Sequence, residues 1–242
     1  VVLHMFRPVT KEKIPFELTR ANIKLNDVPY WGLDKNNIGY IRIKKFSKNT
    51  AKDFRDAMTA MSKDGMAGLV IDLRGNSGGL LDEAASLTGL FINDGPLVQL
   101  KDTNENIDII NDPIPGTIYE GPLVVLIDRF SASASEIFAG AIQDYSRGII
   151  LGQKTYGKGS VQSLYPLDKY SRFTSKKGFG QLTLTVAKYY RVTGVGTQNK
   201  GVEPDILLPS QIILSKPHSS FTPLTIVSYD VSPVLLVSVI PI

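Results

Sequence analysis

Hydrophobic positions along the chain form two kinds of pattern, runs typical of buried strands and stripes typical of amphipathic helices. The clearest unit begins with 122–128 (PLVVLID), an apolar and β-branched run of strand length. A turn of small residues follows at 129–135 (RFSASAS), and from Glu136 apolar residues recur at helical spacing up to a predicted stop at Gly148. This strand–turn–helix order predicts an α/β protein whose serine-rich turn lies at a helix N-terminus.

Similar patterns recur on both sides of this unit. We expect strands at 37–43, 68–73, 96–100, 107–110, 148–151 and 181–190, a hairpin made by 1–6 and 14–20, and helices beginning at Asn49 or Thr50 and at Leu80 or Leu81. The 181–190 strand is predicted either as a sheet member with one wet face or as an edge that an extended peptide can join. The polar and aromatic stretch 164–177 is predicted to form a flap.

Composition and charge exclude several classes of protein. A chain of 242 residues, 43% of them hydrophobic, can bury a sizeable core. The absence of cysteine excludes disulfides, thiol catalysis and thiolate metal sites. With only His4 and His218, the chain has little material for a Ser–His–Asp triad or a histidine-ligated metal site. The net charge of +4, without a basic block interleaved with aromatics, predicts no nucleic-acid partner.

The serine turn has both a structural and a catalytic interpretation. Ser133 and Glu136 have the spacing of a capping box, and this motif alone favours a purely structural role. A serine at a helix N-terminus is also well placed to be a nucleophile. The segment 157–159 (GKG) favours catalysis, because flanking glycines let a lysine backbone approach another element. If Lys158 is enclosed in apolar surroundings, it can be neutral and act as a base.

A glycine-rich turn at 74–79 (RGNSGG) follows the 68–73 strand. It matches neither the P-loop pattern nor the dinucleotide-binding pattern, so phosphate binding is not favoured. Asp72 and Arg74 are candidate catalytic charges beside it. We expect them instead to hold the loop through an ion pair or backbone hydrogen bonds.

These motifs resemble, in the same order, those of the C-terminal processing (tail-specific) peptidases, serine endopeptidases with a Ser–Lys dyad. The resemblance covers roughly 38–209 and rests on DLRGNSGG at 72–79, SASASE at 131–136, GKGSVQ at 157–162, VAKYYR at 186–191 and KGVEPDI at 200–206. It implies that Ser133 is the nucleophile and Lys158 the general base. It also implies that Gln162 orients the lysine amine.

The same resemblance implies an oxyanion hole and no cofactor. One N–H group would come from Gly79, with Gly78 as the alternative, and the second from Ala134. Glycine suits the first position because the backbone must approach the substrate carbonyl without a side chain in the way. No metal ion or cofactor is implied.

The resemblance further implies a domain organisation. Residues 1–30 are expected to be the C-terminal end of a truncated PDZ domain and its linker. Residues 31–209 are expected to be a serine peptidase core with a crotonase/ClpP-like layered fold. Residues 210–242 are expected to pack on that core, with a strand at 234–240.

The family context also implies where the protein acts and on what. No signal sequence is seen in the first residues of this chain, yet the family implies an extracytoplasmic location in the periplasm, cell envelope or lumen. The implied partners are proteins or peptides with apolar C-termini. Whether the chain forms a homo-oligomer is left open. Two alternatives to an active peptidase also stay open, a catalytically silent binding module on the same fold and a resting enzyme with Lys158 too far from Ser133.

Overall fold

The computed structural model describes residues 1–21, 26–112, 116–170 and 180–209, which form a mixed α/β fold. In chain order the elements are β1 (Val2–Arg7), β2 (Glu12–Glu17), β3 (Tyr30–Leu33), β4 (Ile38–Arg42), α1 (Thr50–Lys63), β5 (Gly68–Asp72), α2 (Leu81–Gly89), β6 (Pro96–Asp102), β7 (Ile107–Asn111), β8 (Leu123–Ile127), α3 (Ala134–Asp144), β9 (Ile149–Gly152), β10 (Ser160–Pro166), a short 3-10 helix (Leu167–Lys169), β11 (Gln181–Tyr190) and β12 (Ile206–Leu207). The predicted α/β class is confirmed.

The central sheet has six strands in the order β12-β9-β8-β5-β4-β3. Only β3 runs antiparallel to its neighbour, and the other pairs are parallel. In the middle of the sheet, β5 and β8 pair with Asp72 opposite Leu126. Because the carboxyl ends of parallel strands meet at one edge, the loops after β5 and β8 lie next to each other.

Three aromatic rings join the helices that cover this sheet. Phe54 of α1 and Phe138 of α3 both make edge-on contacts with Phe91, which follows α2, with ring centroids 5.8 and 5.9 Å apart. All three side chains are fully buried. Helix α1 also buries Ala57, Met58 and Met61. The core therefore lies between the sheet and the helices, close to the first turns of α3.

A second, antiparallel sheet has the order β10-β11-β6-β7. β11 pairs with β10 over 181–188 and with β6 only at 187–190. The prediction that 181–190 is a sheet member is confirmed. The other prediction, an edge that an extended peptide can join, stays a prediction for 181–186, where no described strand pairs on the β6 side. Among the described strands, β10 and β7 form the edges of this sheet.

The predicted end of α3 needs correction. Helix α3 begins at Ala134, directly after Ser133, as the capping-box spacing of Ser133 and Glu136 indicates. Ser146 follows the helix with φ 51°, so the chain leaves the helix before the predicted stop at Gly148. Gly148 instead permits a close approach, since a Cβ there would lie 2.8 Å from the carbonyl oxygen of Leu123.

The flap predicted at 164–177 stays a prediction. Residues 164–166 belong to β10 and 167–169 to the 3-10 helix, and 171–177 lie outside the described residues.

The N-terminal hairpin is confirmed, with Val2 of β1 opposite Glu17 of β2. Its residues are exposed except Ile14, which is partly buried. The extension at 210–242, with its predicted strand at 234–240, lies outside the described residues. No helix in the described ranges combines the length and apolar character that crossing a membrane requires.

Replacing Phe91 with alanine should remove both edge-on ring contacts and leave a cavity between the helices. The expected loss of unfolding free energy is about 3–5 kcal/mol, measured by chemical denaturation. The control is Phe16→Ala, which deletes the same ring from an exposed position in β2 and should cost about 0.5 kcal/mol or less. Equal losses in the two variants would contradict the assignment of Phe91 to the core.

Candidate active site

The turn between β8 and α3 places Ser133 at the N-terminus of the helix. The carboxylate of Asp128 accepts hydrogen bonds from the N–H groups of Phe130 (2.9 Å) and Ser131 (3.0 Å), which closes the turn just after the strand. Ser133 has φ 55° and ψ −114°, a conformation that costs a serine on the order of 1–3 kcal/mol. Strained strand-to-helix turns of this kind carry the exposed nucleophilic serine of α/β-hydrolases.

The glycine-rich loop after β5 lies directly against this turn. A Cβ on Gly78 would lie 2.6 Å from the carbonyl oxygen of Ala132 and 2.8 Å from the Cβ of Ser133, so only glycine fits there. Asn76 joins the two segments, since its carbonyl accepts the N–H of Ala132 (3.0 Å) and the hydroxyl of Ser135 (2.9 Å). The loop and the turn therefore form one connected backbone surface.

The N–H groups of Gly79 and Ala134 are available on this surface. Within the described ranges, neither of them donates a hydrogen bond to a protein acceptor. The N–H of Gly78, in contrast, donates to Oδ1 of Asn76 at 2.9 Å. Of the two glycines left open by the sequence, Gly79 is the one with an available donor. Two such N–H groups from adjoining segments are the kind of donor pair that binds an oxyanion.

Lys158 lies in the loop between β9 and β10, with a glycine on each side. A Cβ on Gly157 would lie 3.1 Å from the Cα of Asn199, and a Cβ on Gly159 would lie 2.6 Å from the nitrogen of Gln198. The close backbone approach predicted for the GKG segment is confirmed, and the element approached is the turn after β11.

The carboxylate of Glu136 joins the segments that carry the two predicted catalytic residues. Its Oε2 accepts the N–H of Ser133 at 2.8 Å and the N–H of Lys158 at 2.9 Å. Its Oε1 accepts the N–H of Gly157 at 2.7 Å and the hydroxyl of Thr155 at 2.5 Å. Glu136 is fully buried, so these donors replace the water that an ionised carboxylate would otherwise bind. The main chains of Ser133 and Lys158 therefore meet at one oxygen atom.

The side chains of the predicted site are less closely connected than its main chain. In the part of the chain that the structure describes, the side chains of Ser133, Lys158 and Gln162 make no hydrogen bond to one another. Ser133 and Lys158 are partly buried, whereas Gln162 is exposed on β10, where pairing with β11 is irregular. The structure thus brings Ser133 and Lys158 together through their backbones, and Gln162 is not hydrogen-bonded to either.

Asp72 and Arg74 hold the start of the glycine-rich loop, as predicted. The guanidinium of Arg74 donates to both carboxylate oxygens of Asp72, at 2.9 and 2.8 Å, and the hydroxyl of Tyr40 donates to Oδ2 at 2.7 Å. Burial raises the pKa of Asp72, but the hydrogen bonds from Arg74 and Tyr40 outweigh it and leave the pKa below its ordinary value. These bonds occupy the carboxylate, which therefore has a structural role.

The chain is similar to the proteins of one known family. The model of peptidase family S41 matches residues 37–208, well over half of the chain. The chain belongs to peptidase family S41. The family predicted from the motifs, with a resemblance over roughly 38–209, is thereby confirmed.

Several proteins that this chain resembles are named tail-specific or C-terminal processing proteases. The chain is 40% identical to the tail-specific protease of Haemophilus influenzae over 205 residues, and this alignment covers 81% of this chain and 28% of that protein. It is 38% identical over 200 residues to the carboxy-terminal-processing protease of Bartonella bacilliformis, covering 81% and 44%. The photosystem II D1 C-terminal processing protease has a similar structure, with a TM-score of 0.66 and 33% identity over 86% of this chain and 54% of that one. The chain thus spans less than half of these two curated relatives.

The sequence did not predict how Glu136 and Asn76 hold the candidate site together. The capping-box spacing explained Glu136 locally, and the helix does use it in this way, but its other donors are 19 to 22 residues away. Asn76 was treated as one polar residue of a glycine-rich loop, although it is fully buried. The available signal was chemical, since an asparagine side chain in a loop can bind backbone groups, as Asn76 does with the carbonyl of Ile43 and the N–H of Gly78.

Glu136→Gln should destabilise the protein by about 2–4 kcal/mol, because an NH₂ group would face two of the four donors now bound to carboxylate oxygens. Chemical denaturation measures the loss. The control is Glu83→Gln, where the carboxylate accepts the N–H groups of Asn49 and Ala51 at the partly exposed start of α1. That variant should lose about 1 kcal/mol, and similar losses at both positions would count against a special role for Glu136.

Asp72 should contribute to the free energy of unfolding, and this contribution should be lost at low pH. Its folded pKa lies below its ordinary value of 3.8, so its contribution is complete above that pH and is lost as the pH falls through the folded value. We expect Asp72→Asn to lower the free energy of unfolding by about 2 kcal/mol near neutral pH. The difference in this free energy between wild type and the variant should become smaller below about pH 4. Unfolding measured against pH tests this, with Asp56→Asn at an exposed ion pair as control. A gap that stays constant with pH would contradict the assignment.

Proposed function

We propose that this chain is the core of a serine endopeptidase that cleaves proteins near apolar C-terminal tails. Ser133 is the nucleophile and Lys158 the general base. The observation that carries the proposal is that Glu136 Oε2 accepts hydrogen bonds from the backbone N–H groups of both residues, at 2.8 and 2.9 Å. Membership of family S41 and the names of its relatives support the same activity.

The reaction proceeds through an acyl-enzyme. Neutral Lys158 takes the proton from the Ser133 hydroxyl as its oxygen attacks the scissile carbonyl. The N–H groups of Gly79 and Ala134 donate to the oxyanion that forms, and the positive end of the α3 dipole favours the same charge. The Lys158 ammonium then protonates the leaving amine, and a water molecule repeats these steps on the acyl group.

Substrate binding has to complete the dyad, because the side chains of Ser133 and Lys158 share no hydrogen bond in this structure. Catalytic hydrogen bonds often form fully only in the complex with substrate. The two backbones are already fixed, so only side-chain rotations are needed. Gln162 would orient the lysine amine, and its exposed side chain must turn toward Lys158 to do so.

An apolar substrate fits the side chains around this backbone surface. Leu80 directly follows Gly79, Phe130 precedes Ser131, and Tyr156 precedes Gly157, and each of these three large side chains is at least half exposed. The N–H of Tyr156 donates to the carbonyl of Ser131 at 3.0 Å, so two of them come from hydrogen-bonded segments. Exposed apolar groups beside a reactive centre favour the binding of apolar side chains.

The wider organisation is also part of the proposal. Residues 1–30, with the β1–β2 hairpin, are the end of a PDZ domain and its linker, and 31–209 are the crotonase/ClpP-like peptidase core. The protein acts outside the cytoplasm, as the family resemblance implies. Its partners are protein or peptide substrates with apolar C-termini, and homo-oligomers are compatible with this arrangement.

The decisive assay is the cleavage of an unfolded protein with an apolar C-terminus by wild type, Ser133→Ala and Lys158→Ala. We expect each substitution to lower kcat by about 1,000-fold or more, because each removes a group that makes or breaks bonds. The control is Lys154→Ala, which removes an exposed lysine paired with Glu203 and should leave kcat unchanged. Full activity in Lys158→Ala would reject Lys158 as the base. An absence of cleavage by wild type with a folded chain would favour the resting or silent alternatives.

A further inference from the structure

The side chain of Tyr189 reaches from the four-stranded sheet to the predicted catalytic residues. Tyr189 lies near the end of β11, paired with Leu100 of β6, and its N–H donates to the carbonyl of Gly159 at 2.9 Å. Its side chain is buried in the hydrophobic core. In the sequence, Tyr189 is part of the VAKYYR motif at 186–191, and no pattern assigns it a role.

The hydroxyl of Tyr189 is surrounded by three oxygen atoms from the site. It donates to the carbonyl oxygen of Lys158, and the carbonyl oxygen of Ser133 and Oε2 of Glu136 lie 3.3 and 3.4 Å away. A hydroxyl carries a single proton and donates one full hydrogen bond at a time. The Lys158 carbonyl, the nearest acceptor, receives it.

Tyr189 and Glu136 together bind both polar groups of the Lys158 backbone. Glu136 accepts the N–H of Lys158, as it does that of Ser133, and the hydroxyl of Tyr189 donates to the Lys158 carbonyl oxygen. With its N–H and carbonyl both held, the Lys158 backbone has little freedom to move relative to Ser133. What remains free is rotation within the two side chains.

The hydroxyl stays a donor under the conditions in which the protein is folded. Burial raises the pKa of Tyr189, and the neighbouring charge of Glu136 raises it further. The tyrosine therefore keeps its proton, and a phenylalanine at this position would preserve the packing of the ring while removing the donor.

We propose that Tyr189 is a positioning residue for the Ser133–Lys158 dyad. Its hydroxyl fixes the main chain of Lys158 relative to Ser133 and so sets the distance across which the lysine amine takes the serine proton. This inference rests on the proposed function. Displacements of about 1 Å from the productive geometry can cost a factor of 100 in rate, so a hydrogen bond that fixes the backbone has kinetic consequences without touching the substrate.

The test compares Tyr189→Phe with Tyr190→Phe, a matched control. Tyr190 is the next residue of β11, and successive side chains of a strand point to opposite faces. Each variant is measured for thermal unfolding, for kcat and KM on an unfolded protein with an apolar C-terminus, and for the rate at which a fluorophosphonate phosphonylates Ser133 with release of fluoride. Wild type and Ser133→Ala are run beside them.

We expect Tyr189→Phe to lower kcat and the phosphonylation rate by about 10-fold, the equivalent of one positioning hydrogen bond, with KM within about twofold. Tyr190→Phe should match wild type. If Tyr189→Phe is folded and retains full kcat and phosphonylation rate, or if only KM changes, the inference is wrong although the dyad stands. If wild type neither turns over substrate nor reacts at Ser133, the proposed function fails, and the inference fails with it.

Discussion

A buried carboxylate is the constraint on which the rest of the site depends. An ionised side chain without access to water must be surrounded by donors, and Glu136 obtains them from Ser133, Thr155, Gly157 and Lys158. All four lie in the α3 turn or in the loop before β10, so folding cannot satisfy the charge without bringing these segments together. Because the Glu136 carboxylate must find these donors during folding, the protein can bury it only when the segments of the candidate site are assembled.

The parallel order of the central sheet supplies the second half of this arrangement. Because β5 and β8 are neighbours, the glycine-rich loop and the serine turn leave the same edge side by side. Glycine at position 78 lets their backbones touch, and Asn76 binds them to each other. Three loops from one side of the fold thus contribute a strained serine, available N–H donors and a lysine.

Much of this was predictable, because the signals were local. Apolar runs of strand length located β5 and β8, and the flanking glycines indicated a close backbone approach at Lys158. What the sequence hid depends on distant partners. The pairing of 187–190 with β6 could not be seen in the sequence, and Glu136 looked like a cap because its other donors lie far along the chain. The end of α3 was misplaced because the chain leaves the helix at Ser146, whose positive φ no sequence pattern marks.

The open edges of the four-stranded sheet have a consequence for handling the protein. Among the described strands, β10 and β7 each have one unpaired side, and both carry exposed apolar side chains, Leu164 on β10 and Ile107 and Ile109 on β7. Unprotected edges of this composition are templates for pairing with another chain. This chain is therefore expected to self-associate in concentrated solution. Charged substitutions at these three positions should reduce that association.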